Sequence, residues 1–516
     1  MRFNIGTPRA SVQKAGGNLL SITIWLAAVS GGALTCGCAA DDAIGVFQFQ
    51  SDVGETGLPG KSEYDAASGR YRLTGSGENI WYHRDAFHFV WKRVSGDLEL
   101  ITQMEWEGAG HEHRKGGWMI RQDLDYDSAY VDAVIHGSGM AAMQFRKLKD
   151  GPTDESQAGI AHPAWIKLAR QGSLYSMFVR QDGQPWEPVS TISANLIDPV
   201  YVGLVVCSHD NSQTASAVFK NTTLAVKGVV SEEDRMLESN LEIFDIQTGR
   251  RKTIFSSTAL HFEAPNWSRD GKTILFNGGG RLYTISADGG LPNLLDTGFA
   301  DRCNNDHGYS PDGRQIALSH QENDISRIYI LPAEGGAPRL ATEQGPSYWH
   351  GWSPDGKTLV YCGKRHGQFD IYTIPVEGGK ETRLTEAAGY NDGPEYSPDG
   401  KTIYFNSDRE GPMLLWKMDA DGGNQTPITF SDQYNDWFAH PSPDGRQIVF
   451  LSYDKTVQGH PANREVALRL MHGLDDEPRT LTRLFGGQGT LNVHSWAPDS
   501  RRFAFVSYRL VEKQKP

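Results

Sequence analysis

The C-terminal half of the chain repeats one phrase six times, and no other feature of the sequence limits the fold as strongly. The phrase is an aromatic residue or proline followed by Ser-Pro-Asp-Gly or a close variant. It occurs as Trp267-Ser268-Arg269-Asp270-Gly271, Tyr309-Ser310-Pro311-Asp312-Gly313, Trp352-Ser353-Pro354-Asp355-Gly356, Tyr396-Ser397-Pro398-Asp399-Gly400, Pro441-Ser442-Pro443-Asp444-Gly445 and Trp496-Ala497-Pro498-Asp499-Ser500. Successive Asp positions lie 42, 43, 44, 45 and 55 residues apart, the period of a four-stranded propeller blade.

Each unit reads in the same order. Ser-Pro-Asp-Gly closes a tight turn, with Pro fixing one φ and Gly accepting a positive one. An alternating strand such as Thr402-Ile403-Tyr404-Phe405 follows, then a third strand such as Asp370 to Ile374, then a Gly-Gly turn (Gly289-Gly290, Gly335-Gly336, Gly378-Gly379, Gly422-Gly423) and an outer strand. The last unit stops after Phe503 to Tyr508, two strands short, while Leu241 to Ser256 supplies two strands ahead of the first full unit. Residues 241–510 are therefore expected to form a six-bladed β-propeller whose terminal blade is shared by both ends, because closure removes exposed strand edges. The extra residues of the fifth unit fall in a polar loop around Lys455 to Arg464, with His460 and Pro461. These repeats resemble those of the TolB-like propeller family over about 270 residues. That family includes periplasmic protein-binding propellers, peptidase propeller domains and oligogalacturonate lyases, so the resemblance implies the fold and leaves the function open.

Residues 45–225 are written differently. Strand-sized apolar segments, among them Asp97 to Met104, Gly117 to Arg121, Ala129 to Ile135, Trp165 to Arg170 and Tyr201 to Cys207, are separated by turn signals such as Asp150-Gly151 and Asp182-Gly183. Such a series needs a second sheet to bury one face, which predicts a β-sandwich. The stretches Gly116 to Gly137, Trp165 to Gly172 and Tyr201 to Asp210 resemble the jelly-roll domains of the concanavalin A-like lectin and glucanase superfamily. The resemblance implies glycan contact; the Glu-x-Asp-x-x-Glu run of its hydrolases is missing. Trp81, Tyr82, Trp91, Trp106, Trp118 and Tyr126 are candidates to stack on sugar rings or to fill the core. His111-Glu112-His113 reads as part of a solvated loop, and the charged segment 226–240 reads as a linker.

The whole chain is thus expected to be all-β, a jelly-roll β-sandwich followed by a six-bladed propeller. With 57 Gly, 13 Trp and 19 Tyr the composition agrees, and a formal charge of -13 excludes a nucleic-acid partner. Residues 1–40 carry Arg2, Arg9 and Lys14, an apolar run from Leu19 to Leu34 and a small-residue stretch, the pattern of a signal peptide. The mature protein is expected in the periplasm or outside the cell, with no transmembrane segment after cleavage and with lipoprotein anchoring at Cys36 or Cys38 left open. Cys207, Cys303 and Cys362 are expected as buried thiols.

Propeller ligands gather where the innermost strands converge on the central channel. The residues that begin those strands are Glu263, Asn305-Asp306-His307, His350, Asn391-Asp392, Asn435-Asp436 with His440, and Asn492 with His494. His307, His350 and His494 share one offset from the turn, so they are candidate ligands of a divalent ion, Mn or Ca, with His350 and His440 as candidate catalytic bases. Oligogalacturonate lyases hold a metal by His in a propeller channel, and this half resembles that arrangement in outline, with fewer blades and no His-x-His pair. Three functions follow. The first is an exported carbohydrate-binding protein with a second ligand at the channel. The second is a metal-dependent polysaccharide lyase or glycoside hydrolase. The third is a TolB-type scaffold for envelope proteins.

Overall fold

The computed structural model describes residues 44–228, 230–474 and 476–513. The signal-peptide reading of 1–40, with Cys36 and Cys38, lies outside the described residues. Apart from two 3-10 turns, every regular element among the described residues is a strand.

In the N-terminal half two seven-stranded antiparallel sheets face one another. The first runs in the order Phe49–Val53, Phe87–Val94, Val200–Cys207, Lys115–Arg121, Tyr130–His136, Ala141–Arg146 and Asp154–Gln157. The second runs Glu187–Ser193, Leu174–Arg180, Trp165–Gln171, Asp97–Glu107, Asp210–Gly228, Arg70–Gly77 and Lys61–Asp65. Their inner faces share one core, with Val90, Trp118, Ile120 and Leu204 from the first sheet and Leu100, Ile166, Leu168 and Phe219 from the second. Trp165–Gln171 alternates between half-buried and buried positions, as a strand with one covered face must. Lys115–Arg121 and Tyr130–His136 are instead buried at every residue, because the hairpin of Ile80–Trp81 and Arg84–Asp85 covers their outer face, with Ile80 packing into a second cluster beside Phe87, Met119 and Tyr130. Arg146 is trapped there and paired: it donates to both carboxylate oxygens of Asp85, at 2.8 Å each. Trp118 is wholly buried, so this stacking candidate is core, whereas Tyr82 and Tyr126 are exposed.

The propeller has six blades. Five are four-stranded, with inner strands Phe262–Trp267, Cys303–Tyr309, Ser347–Trp352, Asn391–Tyr396 and Tyr434–Pro441. The sixth joins Arg502–Glu512 to Arg235–Asp245 and Arg250–Ser257, with Trp496 bridging to Phe503 on the inner side. The first strand of the domain thus pairs antiparallel with the last along its length, from Arg235 opposite Glu512 to Asp245 opposite Arg502. That register closes the ring and leaves neither end as an open edge.

The repeated phrase does in three dimensions what its residues dictate. In blades one to five the Ser hydroxyl donates to the Asp carboxylate at 2.6–2.7 Å. The turn glycines sit at φ 71–72°, left-handed backbone that suits glycine. In the sixth unit Ser500 takes that place at φ 55°.

One expectation changes. The segment 226–240 is mostly strand: one strand runs to Gly228 and the next begins at Arg235, so only a few residues connect the halves. The halves are also bonded to one another directly. Arg251 donates to Val189 O at 3.1 Å, Thr482 Oγ1 to the same carbonyl at 2.9 Å, Ser193 N to Glu465 at 2.6 Å and Lys147 Nζ to Glu465 at 2.7 Å. A cleft of about 710 Å³ remains between them, lined by Phe145, Lys147 and Asp154 on one side and Tyr434, Glu465 and Arg483 on the other. Cys207, Cys303 and Cys362 are buried free thiols.

Candidate functional site

In all five complete blades the inner strand loses register with its neighbour partway along, at Glu263/Asn266, Cys303/His307, Trp349/Gly351, Asp392/Glu395 and Trp437/His440. A bulge re-aims the side chains that follow it, and Ala264, Gly393 and Phe438 take positive φ there. Equal offset in the sequence therefore does not mean equal surroundings in the channel.

Two side-chain clusters result. The first joins blades two, three, four and six. Asn492 donates to Asp306 Oδ1 at 2.7 Å and to Asn305 O at 3.2 Å, and Asn304 donates to Asp306 Oδ2 at 2.6 Å. His350 Nε2 lies 3.3 Å from Asp392 Oδ1, and Tyr390 donates its hydroxyl to Asp392 Oδ2 at 3.2 Å. Burial pushes the Asp306 carboxyl up to about 6, with the Asp392 charge adding to the effect and His350 opposing it. Burial would also raise Asp392, but the hydrogen bond and charge of His350 overrule it and hold that carboxyl at about 2. His350 moves the matching way, upward against its own burial, through Asp392. This is a buried ion pair beside a carboxyl that is half neutral near pH 6.

The second cluster is centred on Glu395. Its two oxygens face His494 Nδ1 and His440 Nδ1, each at 2.6 Å, and His440 Nε2 faces Leu491 O at 3.3 Å. Both nitrogens of His440 thus face oxygen atoms. Burial would raise the Glu395 carboxyl, but the two imidazoles hold it at about 2. The Glu395–His494 bridge reaches from blade four to blade six, and Asn492–Asp306 from blade six to blade two, so side chains cross the channel. His307 stands apart. It is wholly buried, neither ring nitrogen has a partner, and burial lowers it to about 3.

The remaining expected residues serve other ends. Asn391 bonds Ser407 and Arg409 inside blade four and donates to Asp370 of blade three, and Asp436 accepts from Ser452 inside blade five. Asn435 ties Met413 N to Val457 O. Glu263 faces His261 at 3.2 Å, and the 3-10 turn at Gln488–Thr490 packs against it. The sequence reading missed Glu395, because Pro394 was the residue compared at the shared offset. It also missed His460, whose loop carries it to 3.8 Å from Asp392 and edge-on to Trp437 at 4.4 Å.

Above the Glu395 cluster, on the side of the repeated turns, opens a cavity of about 210 Å³. Pro311, Pro354, Pro398 and Pro443 rim it, His350, Glu395 and His494 line it, and Trp349 and Trp352 form part of the wall. Blade one breaks the pattern: Arg269 stands where the other five repeats have proline, and its guanidinium reaches across to Ser310 O at 3.2 Å and Tyr309 O at 3.4 Å.

The TolB beta propeller domain matches residues 307–482. An uncharacterized protein of Agrobacterium fabrum is 51% identical over 278 residues, which is 54% of this chain and 94% of that protein. The chain belongs to the TolB-type propeller family. A solved TolB-type structure from Agrobacterium tumefaciens shares 51% identity over 53% of this chain and 99% of its own, with a TM-score of 0.52. An oligogalacturonate lyase in complex with manganese is 18% identical over 48% of this chain at a TM-score of 0.33, too distant to argue from. In this TolB-type propeller no group of three or more His, Cys, Asp or Glu side chains stands at ion-holding spacing among the described residues. His350 faces Asp392, His494 faces Glu395 and His307 faces no polar group, so one ion shared by the three requires those pairings to open. The residues do not fit an Mn or Ca centre as they stand.

Proposed function

We propose that this is an exported envelope protein of TolB type, a scaffold that binds a protein partner at the turn-side mouth of its propeller. The mouth itself carries the reading: a proline-rimmed, tryptophan-walled cavity with a single arginine at its edge, over a floor of mutually paired polar groups. A fixed floor recognises shape and charge without needing to move a proton, and partners of a scaffold are held in that way. The lyase or hydrolase alternative asks His350 or His440 to act as a free base, and both are engaged with carboxylates. Location in the periplasm rests on the leader pattern of residues 1–40.

The test is capture of envelope proteins on the immobilised full chain, with Arg269→Pro as the comparison. That variant restores the proline of the other five repeats and removes the arginine from the mouth. A partner retained by the natural chain and lost by the variant supports the reading; equal recovery on both sinks it.

A second reading, glycan binding by the two-sheet half, is favoured by Tyr82. Its ring is 70% exposed on a backbone at φ 50°, a costly place for a bulky residue. Arg146 and Thr153 hold its carbonyl at 2.9 Å each, and Trp81 and Tyr126 lie on the same hairpin surface. The concanavalin A-like resemblance belongs to this reading. Tyr82→Ala should weaken retention on a polysaccharide gel while leaving the melting temperature in place; unchanged retention counts against it.

A further inference from the structure

The cleft of about 710 Å³ between the two halves has walls that neither half could supply alone. Its volume and its place at a junction of two packed units are those of a small-molecule site. Arg483 is the centre of the propeller wall. Its guanidinium lies 5.8 Å from the ring centroids of both Phe145 and Tyr434. It donates to Asp154 Oδ2 at 2.5 Å and to the Tyr434 hydroxyl oxygen at 2.8 Å, while its buried Nε has no partner among the described residues. Because the Tyr434 oxygen accepts from Arg483, the hydroxyl keeps its own hydrogen to donate. A buried donor without an acceptor is costly, and a ligand oxygen relieves that cost.

We propose that the cleft binds a short neutral oligosaccharide, packed on Tyr434 and hydrogen-bonded by side chains of both halves. The proposal is independent of the protein-binding mouth, and it shares with the Tyr82 reading its ligand class but not its place. Charge decides the class. The lining carries Lys147, Arg464 and Arg483 against Asp154, Asp454 and Glu465, three cations and three acids. Lys147 donates to Glu465 at 2.7 Å, as Arg483 does to Asp154. A charged ligand has to break such a pair, whereas a ligand rich in hydroxyls accepts from the cations and donates to the acids while they stay paired.

The apolar part of the lining suits the C–H face of a sugar ring: Tyr434 and Phe485 are half-buried and Leu148 is exposed. The walls are also held at a fixed spacing before any ligand arrives, since Glu465 accepts from Ser193 N at 2.6 Å as well as from Lys147, and a site already in shape loses little on binding. An extended peptide fits less well. The outer strand of that wall, Arg479–Gly486, lies against Glu187–Ser193, where Ser190 Oγ donates to Arg483 O at 3.1 Å and Thr482 Oγ1 to Val189 O at 2.9 Å. The edge that strand addition needs is taken up there.

The test is isothermal titration calorimetry of the full chain with the neutral trisaccharides cellotriose, laminaritriose and maltotriose, and with trigalacturonate as the charged comparison. Binding of at least one neutral sugar, tighter than trigalacturonate, is expected. Its affinity should fall at least about tenfold in Ser173→Trp, which fills the cleft from an exposed turn, and about threefold or more in Arg464→Ala, which removes an exposed donor. Both positions are exposed, so both variants keep the fold, which circular dichroism verifies. Failure of every neutral sugar to bind, tighter binding of trigalacturonate, or affinity undiminished in both variants overturns the proposal. Loss of binding in Tyr82→Ala with full affinity in Ser173→Trp overturns it too, and leaves the hairpin as the sugar site.

Discussion

At the scale of single residues, the channel is governed by the price of burying charge. Asp306 and Asp392 lie in the same cluster, yet one carboxyl is pushed up to about 6 and the other down to about 2, because only Asp392 has the His350 partner. The consequence for pH is signed. Asp306 binds its proton more tightly folded than unfolded, so its contribution is favourable in acid and is lost as pH rises through about 6. A shift of about two units corresponds to about 3 kcal/mol. The stability of the natural chain minus that of Asp306→Asn should therefore fall by about 2.4 kcal/mol between pH 4 and pH 7; any pH-independent cost of the amide cancels in that comparison. Chemical denaturation at the two pH values measures it. His350→Ala leaves Asp392 buried without its ionic partner and should cost about 3–5 kcal/mol. A melting temperature unchanged in that variant would mean that His350 is free for chemistry and that the ion pair is not structural.

At the scale of elements, the turn phrase fixed what its chemistry could fix. Ser, Asp and Gly act locally, over five residues, and their hydrogen bonds and positive φ recur from blade to blade. The bulge in each inner strand was not legible, since it depends on how a strand packs against the next blade. It moved Glu395 into the channel and separated the three histidines that share an offset. Arg269 is the one local departure with a readable consequence. Replacing it by proline restricts the unfolded chain and should stabilise the propeller by about 0.4–1 kcal/mol, even as it removes the cation at the mouth. Thermal melts of Arg269→Pro check this, and a loss of stability would show that its bonds to Tyr309 O and Ser310 O outweigh the turn preference.

At the scale of the whole molecule, the two halves are joined by buried contacts from blades five and six rather than by the short connection alone. Glu465 accepts from both Ser193 N and Lys147 across that interface. Calorimetry of the natural chain should show one unfolding transition, and Glu465→Ala should split it into two; a single shifted peak would mean that the remaining contacts suffice for coupling. By itself the sequence determined the all-β class, six blades at a fixed period, the shared closing blade and the buried thiols. Each of these rests on a periodic pattern or on local turn chemistry that a residue carries wherever it is placed. Only the tertiary structure decided that the segment read as a linker is strand and that the polar ring is two paired clusters. Those facts depend on contacts between residues as far apart in the chain as Arg235 and Glu512 or Asp306 and Asn492, and the energy that selects such contacts is the desolvation of charged and polar groups, which exists only once the chain has closed around them.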